Sequence, residues 1–336
     1  MSIELIISLV KANIVLAVLL TNTILLIWFE RKVVAGMQSR VGPDRAGPFG
    51  ILQTLADAIK LLLKEQILPS KADRAMYLLA PLIALVPSFL IFMIIPLGPD
   101  ITVEWQNALY TIPLVGADLN VGVLYFLALS SIAVYSVVLA GWSSGSKYPL
   151  LGGVRASAQM ISYEAAMGLA LVPVILYSGS LSLVDIVNSQ SGNLSSSIPI
   201  LNTIVSFIPK WNIFPQFVAF GIFFIAAVAE VNRAPFDLVE AEQELVGGFH
   251  TEYSGFRFAM FFLAEYINMF NMCAITATFF LGGWLGPTFE GILPPIFSVI
   301  MPIIWLGVKT FLLLFVFVWI RATLPRLRYD QLMELG

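Results

Sequence analysis

The stretch from 229 to 255, AEVNRAPFDLVEAEQELVGGFHTEYSG, is unusually dense in carboxylates. Six acidic side chains lie here beside one arginine, Arg233, in a chain that is 59% hydrophobic and 12% charged. They are Glu230, Asp237, Glu240, Glu242, Glu244 and Glu252. Carboxylates crowded in a poorly hydrated place repel one another, so that some hold protons near neutral pH. The chemistry that suits this stretch is therefore the binding and transfer of protons.

A solvated acidic face is the alternative interpretation of such a charge run. The residues between the carboxylates are largely apolar: Pro235, Phe236, Leu238, Val239, Leu245, Val246 and Phe249. This composition favours a semi-buried segment over a solvated one.

Four ionisable residues also interrupt long apolar runs: Glu164, Glu230, Glu265 and Lys309. A charge in hydrocarbon costs at least about 2.5 to 3.5 kcal/mol, so such residues normally face a bundle interior or a wet cavity. Buried pairs that only orient helices, such as a glutamate against Lys309, are the alternative. Charges on four separate runs exceed what helix packing requires, which favours a proton or ion path.

The elements that hold these residues are predicted to be membrane helices. A mean hydropathy of +0.89, with 25 Phe and one His, is typical of a multi-spanning membrane protein. We expect an all-α, polytopic membrane helix bundle with about seven spans, in a single membrane domain covering 1–336. The predicted spans are 5–29, 76–97, 119–141, 157–179, 213–231, 258–281 and 296–320.

The distribution of basic residues predicts the orientation, since Lys and Arg are retained on the cytoplasmic side. The loops 30–75, 142–156 and 232–257 and the tail from 321 together hold 15 of the 18 Lys and Arg residues. We therefore expect the N-terminus outside, the C-terminus of this chain in the cytoplasm, and both 30–75 and the acidic loop 232–257 on the cytoplasmic side.

The loop 30–75 is predicted to contain an amphipathic helix at about 49–65. Leu52, Leu55, Ile59 and Leu62 share one face, opposite a polar face with Asp57 and Lys60. This segment is too short and too charged to span, so we expect it to lie along the membrane interface.

Several functions are excluded or disfavoured. A single cysteine, Cys273, forms no internal disulfide, and a single histidine, His250, makes no multi-histidine metal or haem site. The sequence lacks Gly-rich nucleotide motifs, a CxxC pair and a nucleophile elbow. We therefore predict no catalytic residue, metal site or covalently bound cofactor in this chain, and no nucleic-acid partner.

Several motifs together resemble one family, the H subunit of the proton-pumping NADH-quinone oxidoreductase, respiratory complex I. They cover almost the whole chain in order: ERKVVAGMQSRVGPDRAGPFG, LQTLADAIKLLLKE, GGVRASAQMISYE, AEVNRAPFDLVEAEQELVGGFHTEYSG, FFLAEY and RATLPRLRYDQLM. The long acidic motif is the most specific of them.

The resemblance implies a protein that forms the membrane entrance and wall of a quinone tunnel and links quinone reduction to a buried carboxylate proton path. The tunnel and entrance residues it implies are Arg31, Asp57, Lys60, Phe236, Arg321 and Arg326. The proton-path residues it implies are Glu164, Glu230, Asp237, Glu240, Glu242, Glu244, Glu252 and Glu265.

The resemblance also implies partners. Quinone would be the substrate, and the flavin and iron-sulfur clusters would belong to partner subunits, both hydrophilic quinone-module subunits and small membrane-arm subunits. The chain would be an enzyme subunit without its own redox centre, surrounded by lipid in an energy-coupling membrane such as a bacterial plasma membrane. The alternatives are the anchor subunit of a related membrane-bound hydrogenase and a stand-alone proton or cation transporter.

Some points stay open at this level. Family members carry a further apolar span after RYDQLM, whereas this sequence ends at Gly336, which leaves the contacts of that span open. The motifs do not distinguish between quinones or electron donors, nor do they order the proton transfers.

Overall fold

The computed structural model describes residues 3–105, 108–193, 209–237, 246–287 and 296–335, and these residues are mostly helical. The helices are α1 Ile3–Met37, α2 Gln53–Leu63, α3 Arg74–Met93, α4 Gly122–Ser143, α5 Lys147–Ser178, α6 Leu183–Ser189, α7 Phe217–Glu230, α8 Phe256–Phe280, α9 Ile296–Thr323 and α10 Tyr329–Leu335. Short 3₁₀ turns occupy Pro48–Gly50 and Gly248–His250. The predicted fold class, an all-α polytopic membrane bundle, is confirmed.

Six of these helices are long and apolar enough to cross a membrane: α1, α3, α4, α5, α8 and α9. Their apolar segments are 20 to 32 residues long, with mean hydropathies of 1.4 to 2.4. At about 1.5 Å per residue, 20 residues cover the roughly 30 Å of hydrocarbon in a bilayer.

The seventh predicted span is shorter than expected. The run 213–231 contains α7, which has only 14 residues and so a length of about 21 Å. It ends at Glu230, because Asn232 takes a left-handed backbone conformation (φ 54°) that does not continue a helix. The turn that follows carries Arg233 to Asp237, so the shortening of α7 places the first residues of the acidic stretch inside the bundle.

Helix α5 begins ten residues before the predicted span at 157. Its first turns pack closely against other backbone through glycines, as is common between membrane helices. A Cβ on Gly152 would lie 2.8 Å from backbone atoms of Gly248, and one on Gly141 of α4 would lie 2.5 Å from the Pro149 carbonyl oxygen. This contact fixes the turn Gly248–His250 on α5.

Helix α8 is the most buried of the six long helices. It contacts α3, α9, α7, α6, α1 and α2, so the acidic and amide groups on α8 face several neighbours. Between α3 and α4 in the sequence, β1 Ile101–Trp105 pairs antiparallel with β2 Ala108–Ile112, with Ile101 opposite Ile112. The helical pattern of the sequence did not predict this hairpin.

The amphipathic helix is α2, which lies within the predicted range 49–65. Gly50 has φ 76°, and this left-handed conformation separates the Pro48–Gly50 turn from the helix, which begins at Gln53. A Cβ added to Gly50 would lie 2.3 Å from the Pro43 carbonyl, so the site has no room for a side chain. The apolar face of α2 points away from the protein: Leu52, Leu55, Ile59 and Leu62 are 42 to 55% exposed. Its polar side lies against α1.

Candidate functional site

Arg233 is the centre of a buried charged cluster. Its Nη1 donates a hydrogen bond of 3.3 Å to Oε1 of Glu30 on α1, and its Nε lies 2.7 Å from Oε1 of Glu265 on α8. The guanidinium carbon lies 4.5 Å from the ring centroid of Tyr266. Arg233 and Glu30 are only 5% and 4% exposed, so one cation holds two carboxylates from two helices in a low-dielectric place.

Gln159 of α5 fixes the turn that carries Arg233. Its Nε2 donates to the carbonyl of Ala229 at 3.0 Å and to that of Phe236 at 2.8 Å, and its side chain is fully buried. One amide thus binds both ends of the turn: it satisfies a carbonyl in the last turn of α7 and one at the end of the segment that follows. The position of Arg233 therefore depends on α5 as well as on α7.

The C-terminal segment closes the cluster from the α9 side. Arg321, in the last turn of α9, forms an ion pair with Glu30. Arg326 Nη2 donates to Oδ2 of Asp237 at 2.9 Å, and the Leu327 amide donates to the Pro235 carbonyl at 3.1 Å. Two residues predicted near the quinone passage, Arg321 and Arg326, thus contact acidic side chains of the same region.

A cavity of about 80 Å³ adjoins this cluster. The polar groups in its lining come from Glu230, Glu265, Asn232, Asn268, His250 and Ser136, and the rest of the lining is mostly apolar. A water molecule needs about 10 to 15 Å³ of comparable volume, so the cavity has room for several. Waters there would connect Glu230 of α7 with Glu265 of α8.

Two consecutive serines of α4 contact the remaining membrane carboxylates. Ser130 Oγ donates to Oε1 of Glu230 at 2.9 Å, and Ser131 Oγ donates to Oε1 of Glu164 on α5. One helix, α4, therefore contacts carboxylates from both α5 and α7.

The predicted entrance residues lie at the junction of α1 and α2. Arg31 Nη1 is 2.6 Å from Oδ2 of Asp57, and Gln53 Nε2 donates to the other carboxylate oxygen at 3.1 Å. The side chains of Arg31 and Asp57 are 45% and 37% exposed. Lys60, one turn along α2, is exposed.

The remaining predicted residues have other surroundings. Phe236 is buried against Tyr163, with ring centroids 5.4 Å apart. Glu252 contributes its backbone carbonyl, which accepts a 2.8 Å hydrogen bond from Tyr77 Oη. The Tyr77 ring stacks at 4.1 Å on that of Tyr253, and burial raises the pKa of Tyr253. Glu240, Glu242 and Glu244 lie outside the described residues.

Lys309 of α9 has a different environment from the other intramembrane charges. Its Nζ donates to the carbonyls of Leu281, Gly283 and Leu285, just beyond the last residue of α8, and it lies 4.4 Å from the ring centroid of Trp211. A cation at this place satisfies orphan carbonyls and the negative end of the helix dipole. The structure therefore assigns Lys309 to the C-terminal end of α8, and among the described residues no glutamate pairs with it.

Sequence reasoning missed Ser130, Ser131, Gln159 and the cavity-lining side chain of His250. Polar uncharged residues within apolar helices carry little signal of their own, because a serine in a helix can bond its own backbone. The one available signal was that Ser130 and Ser131 are two adjacent polar residues near the centre of a largely apolar span.

The fold and the site define a class: a polytopic helical membrane protein with a buried network of arginines and carboxylates. Beside this network lie an amphipathic helix and a cavity whose mostly apolar lining includes two carboxylates.

Comparison with known proteins gives the family. The family model described as NADH dehydrogenase matches residues 10–336. The chain is 48% identical to the second H subunit of NADH-quinone oxidoreductase from Koribacter versatilis, over 98% of this chain and 91% of that protein. It is 51% identical to the protein of the same name from Syntrophobacter fumaroxidans, over 97% and 89%. With the H subunit of the same enzyme from Frankia casuarinae it shares 52% identity, over 98% and 68%.

The chain therefore belongs to the NADH dehydrogenase family, as a membrane-embedded H subunit of the NADH-quinone oxidoreductase type. The resemblance seen in the motifs is confirmed. The chain is an integral membrane protein and a subunit of an oxidoreductase complex.

Proposed function

We propose that this protein forms the membrane entrance and part of the wall of a quinone tunnel, and that it converts quinone reduction into protonation changes on buried carboxylates. One observation carries the proposal: two adjacent residues of α1, Glu30 and Arg31, connect the buried charged cluster with the surface junction of α1 and α2. Arg31 pairs with Asp57 at the surface, whereas Glu30 pairs with Arg233 inside the bundle. One residue of backbone thus separates the entrance from the internal charges.

The entrance suits an amphiphile. The α2 side chains Leu55, Ile59 and Leu62 are exposed, which matches an isoprenoid tail or lipid chains, while Arg31 and Asp57 offer hydrogen bonds to a polar headgroup. An interfacial helix with an apolar outer face and a charged inner side guides such a molecule from the bilayer towards the protein. Lys60 would belong to the same surface, and Phe236, Arg321 and Arg326 to the wall behind it.

The coupling would run through electrostatics. A change of charge near Arg321 alters its pairing with Glu30, and Glu30 shares Arg233 with Glu265. In a poorly solvated interior such interactions are much stronger than in water. The carboxylates Glu265, Glu230 and Glu164 would then take up or release protons in response.

The acidic loop would extend this path. Asp237 lies beside the cluster, and Glu240, Glu242, Glu244 and Glu252 follow it in the sequence. The electron donor, iron-sulfur clusters and flavin would reside in hydrophilic partner subunits, and small membrane-arm subunits would receive the protonation signal. In this arrangement the basic loops and the C-terminus of this chain face the cytoplasm of an energy-coupling membrane, with the N-terminus outside.

The test replaces carboxylates without changing their shape. Glu230→Gln and Glu265→Gln in the whole complex remove a titratable proton and keep most hydrogen bonds. We expect proton-coupled quinone reduction to fall about tenfold or more, while electron transfer from the donor to an artificial acceptor stays unchanged. Turnover and the proton-to-electron ratio would be measured together in reconstituted vesicles.

Glu334→Gln, at an exposed position of α10, is the matched control and should behave as wild type. Assembled Glu230→Gln and Glu265→Gln complexes with wild-type turnover and proton-to-electron ratio would show that these carboxylates are structural, and the proposed path would be wrong.

A further inference from the structure

Ser130 and Ser131 stand next to each other on α4, yet each contacts a carboxylate from a different helix. Ser130 Oγ donates to Glu230 Oε1 at 2.9 Å, and Ser131 Oγ reaches Glu164 Oε1. Ser130 and Glu230 are both buried, at 2% and 6% exposure. One step along a single helix therefore brings α5 and α7 carboxylates to the same level of the bundle.

A serine in a membrane helix does not need a carboxylate to satisfy the hydrogen bond of its hydroxyl. Ser136 and Ser144 bond backbone carbonyls three or four residues earlier, each at 2.6 Å, which is the usual way for a helical serine to satisfy its hydroxyl. Ser131 also has that option, because its Oγ lies 3.1 Å from the Leu127 carbonyl. Ser131 therefore contacts Glu164 in addition to the backbone carbonyl that could satisfy its hydroxyl.

The two acceptors of Ser131 have a chemical consequence. A hydroxyl has one hydrogen to donate and lone pairs to accept with. When Glu164 is ionised, Ser131 donates to it. When Glu164 is protonated, Ser131 donates to Leu127 and its oxygen accepts the carboxylic hydrogen. Both protonation states of Glu164 are thus hydrogen-bonded.

Ser130 serves Glu230 differently. It binds Oε1, whereas Oε2 is buried and has no hydrogen-bond partner among the described residues. Glu230 also lines the cavity that Glu265 shares. Ser130 therefore fixes one carboxylate oxygen and leaves the other for water that enters the cavity.

We propose that Ser130 and Ser131 are positioning residues of the proton path: they anchor Glu230 and Glu164 at adjacent positions of α4 and give each a hydrogen-bond partner in both protonation states. This inference rests on the proposed function. A proton arriving at Glu230 from cavity water leaves Ser130 as donor to the other oxygen, and no buried polar group loses its partner.

The test uses the whole complex in reconstituted vesicles with Ser130→Ala, Ser131→Ala and the double variant. Each single variant should lower proton-coupled turnover about tenfold, the size of one hydrogen bond to a charged group, with artificial-acceptor activity unchanged. The matched control is Ser144→Ala, which should keep wild-type turnover. Ser144 is buried, and within the described part of the chain its hydroxyl donates only to the Ala140 carbonyl.

A second readout reports the hydrogen bond itself. The infrared band of the protonated carboxylic acid is assigned by its loss in Glu230→Gln. In redox-induced difference spectra that band should move to higher wavenumber in Ser130→Ala, because a carbonyl loses its donor, and should stay in place in Ser144→Ala.

Should the alanine variants fail to assemble, Ser→Thr and Ser→Val at the same positions compare two side chains of one shape with and without a hydroxyl. Threonine should retain turnover and valine should lose it. Equal activity of the Thr and Val variants, or wild-type turnover of the alanine variants where Glu164→Gln and Glu230→Gln are impaired, would overturn the serine proposal alone. Unimpaired glutamine variants would overturn the proposed proton path.

Discussion

The guanidinium Nε of Arg233 lies 2.7 Å from the Glu265 carboxylate, and this ion pair joins the turn after α7 to α8. The same arginine reaches Glu30 on α1 at 3.3 Å. Because a planar guanidinium presents donors in several fixed directions, one side chain can hold carboxylates of two helices in a defined geometry. The site depends on this arginine more than on any single carboxylate.

Two replacements of Arg233 should distinguish the effect of its positive charge from that of its guanidinium geometry. Arg233→Met leaves Glu30 and Glu265 without their shared cation, and the loss of one partner from a buried ion pair costs about 3 to 5 kcal/mol. Arg233→Lys keeps the charge but has a compact ammonium that does not serve both carboxylates equally. We expect Arg233→Met to lower the thermal stability of the purified complex strongly. Arg233→Lys should assemble and lose most quinone reduction.

Arg328→Lys is the control for a general loss of guanidinium groups, because Arg328 pairs with exposed Asp330 and such surface pairs contribute little. Wild-type quinone reduction by Arg233→Lys would contradict the requirement for guanidinium geometry.

The pair of Arg31 and Asp57 gives a prediction about the entrance. Arg31→Ala and Asp57→Asn should each impair quinone reduction, raising KM more than they lower kcat, because the residues lie at the surface junction of α1 and α2. Electron transfer from the donor to an artificial acceptor in the hydrophilic partner subunits should stay intact. Steady-state kinetics with short-tail and long-tail quinones measure the effect.

A charge exchange provides the internal control. Arg31→Asp combined with Asp57→Arg restores the pair with reversed direction and should recover part of the lost affinity. If both single variants reduce a short-tail quinone at wild-type rate and KM, these residues do not belong to the entrance.

Much of the fold could be predicted because hydrophobic length is a strong signal. The spans that became α1, α3, α4, α8 and α9 were located within a few residues at most ends, and α2 followed from its amphipathic spacing. The early start of α5 was not predictable from hydropathy, since the glycine contact between Gly152 and Gly248 joins segments far apart in the sequence. The shortness of α7 depends on the backbone conformation of Asn232.

The candidate site was partly predictable for the same reason. Charged residues in apolar runs, such as Glu230 and Glu265, stand out because of their cost in a membrane. Their partners do not stand out, because Gln159 and Ser130 are ordinary residues whose role depends on which carbonyl or carboxylate lies opposite. Pairing across helices is a property of packing, which a linear pattern does not contain.

Lys309 is an intramembrane charge for which we predict a structural role and no role in proton transfer. Its three carbonyl partners lie just after the end of α8, so we expect Lys309→Met to leave buried carbonyls unpaired and to destabilise the complex by about 1 to 3 kcal/mol. Thermal unfolding of the purified complex measures this loss. Lys147→Met, at an exposed position in the first turn of α5, should leave the unfolding temperature unchanged.

Turnover and proton-to-electron ratio per assembled Lys309→Met complex should equal those of the wild type, because the lysine holds the end of a helix. Wild-type stability together with impaired proton translocation would instead place Lys309 in the proton path.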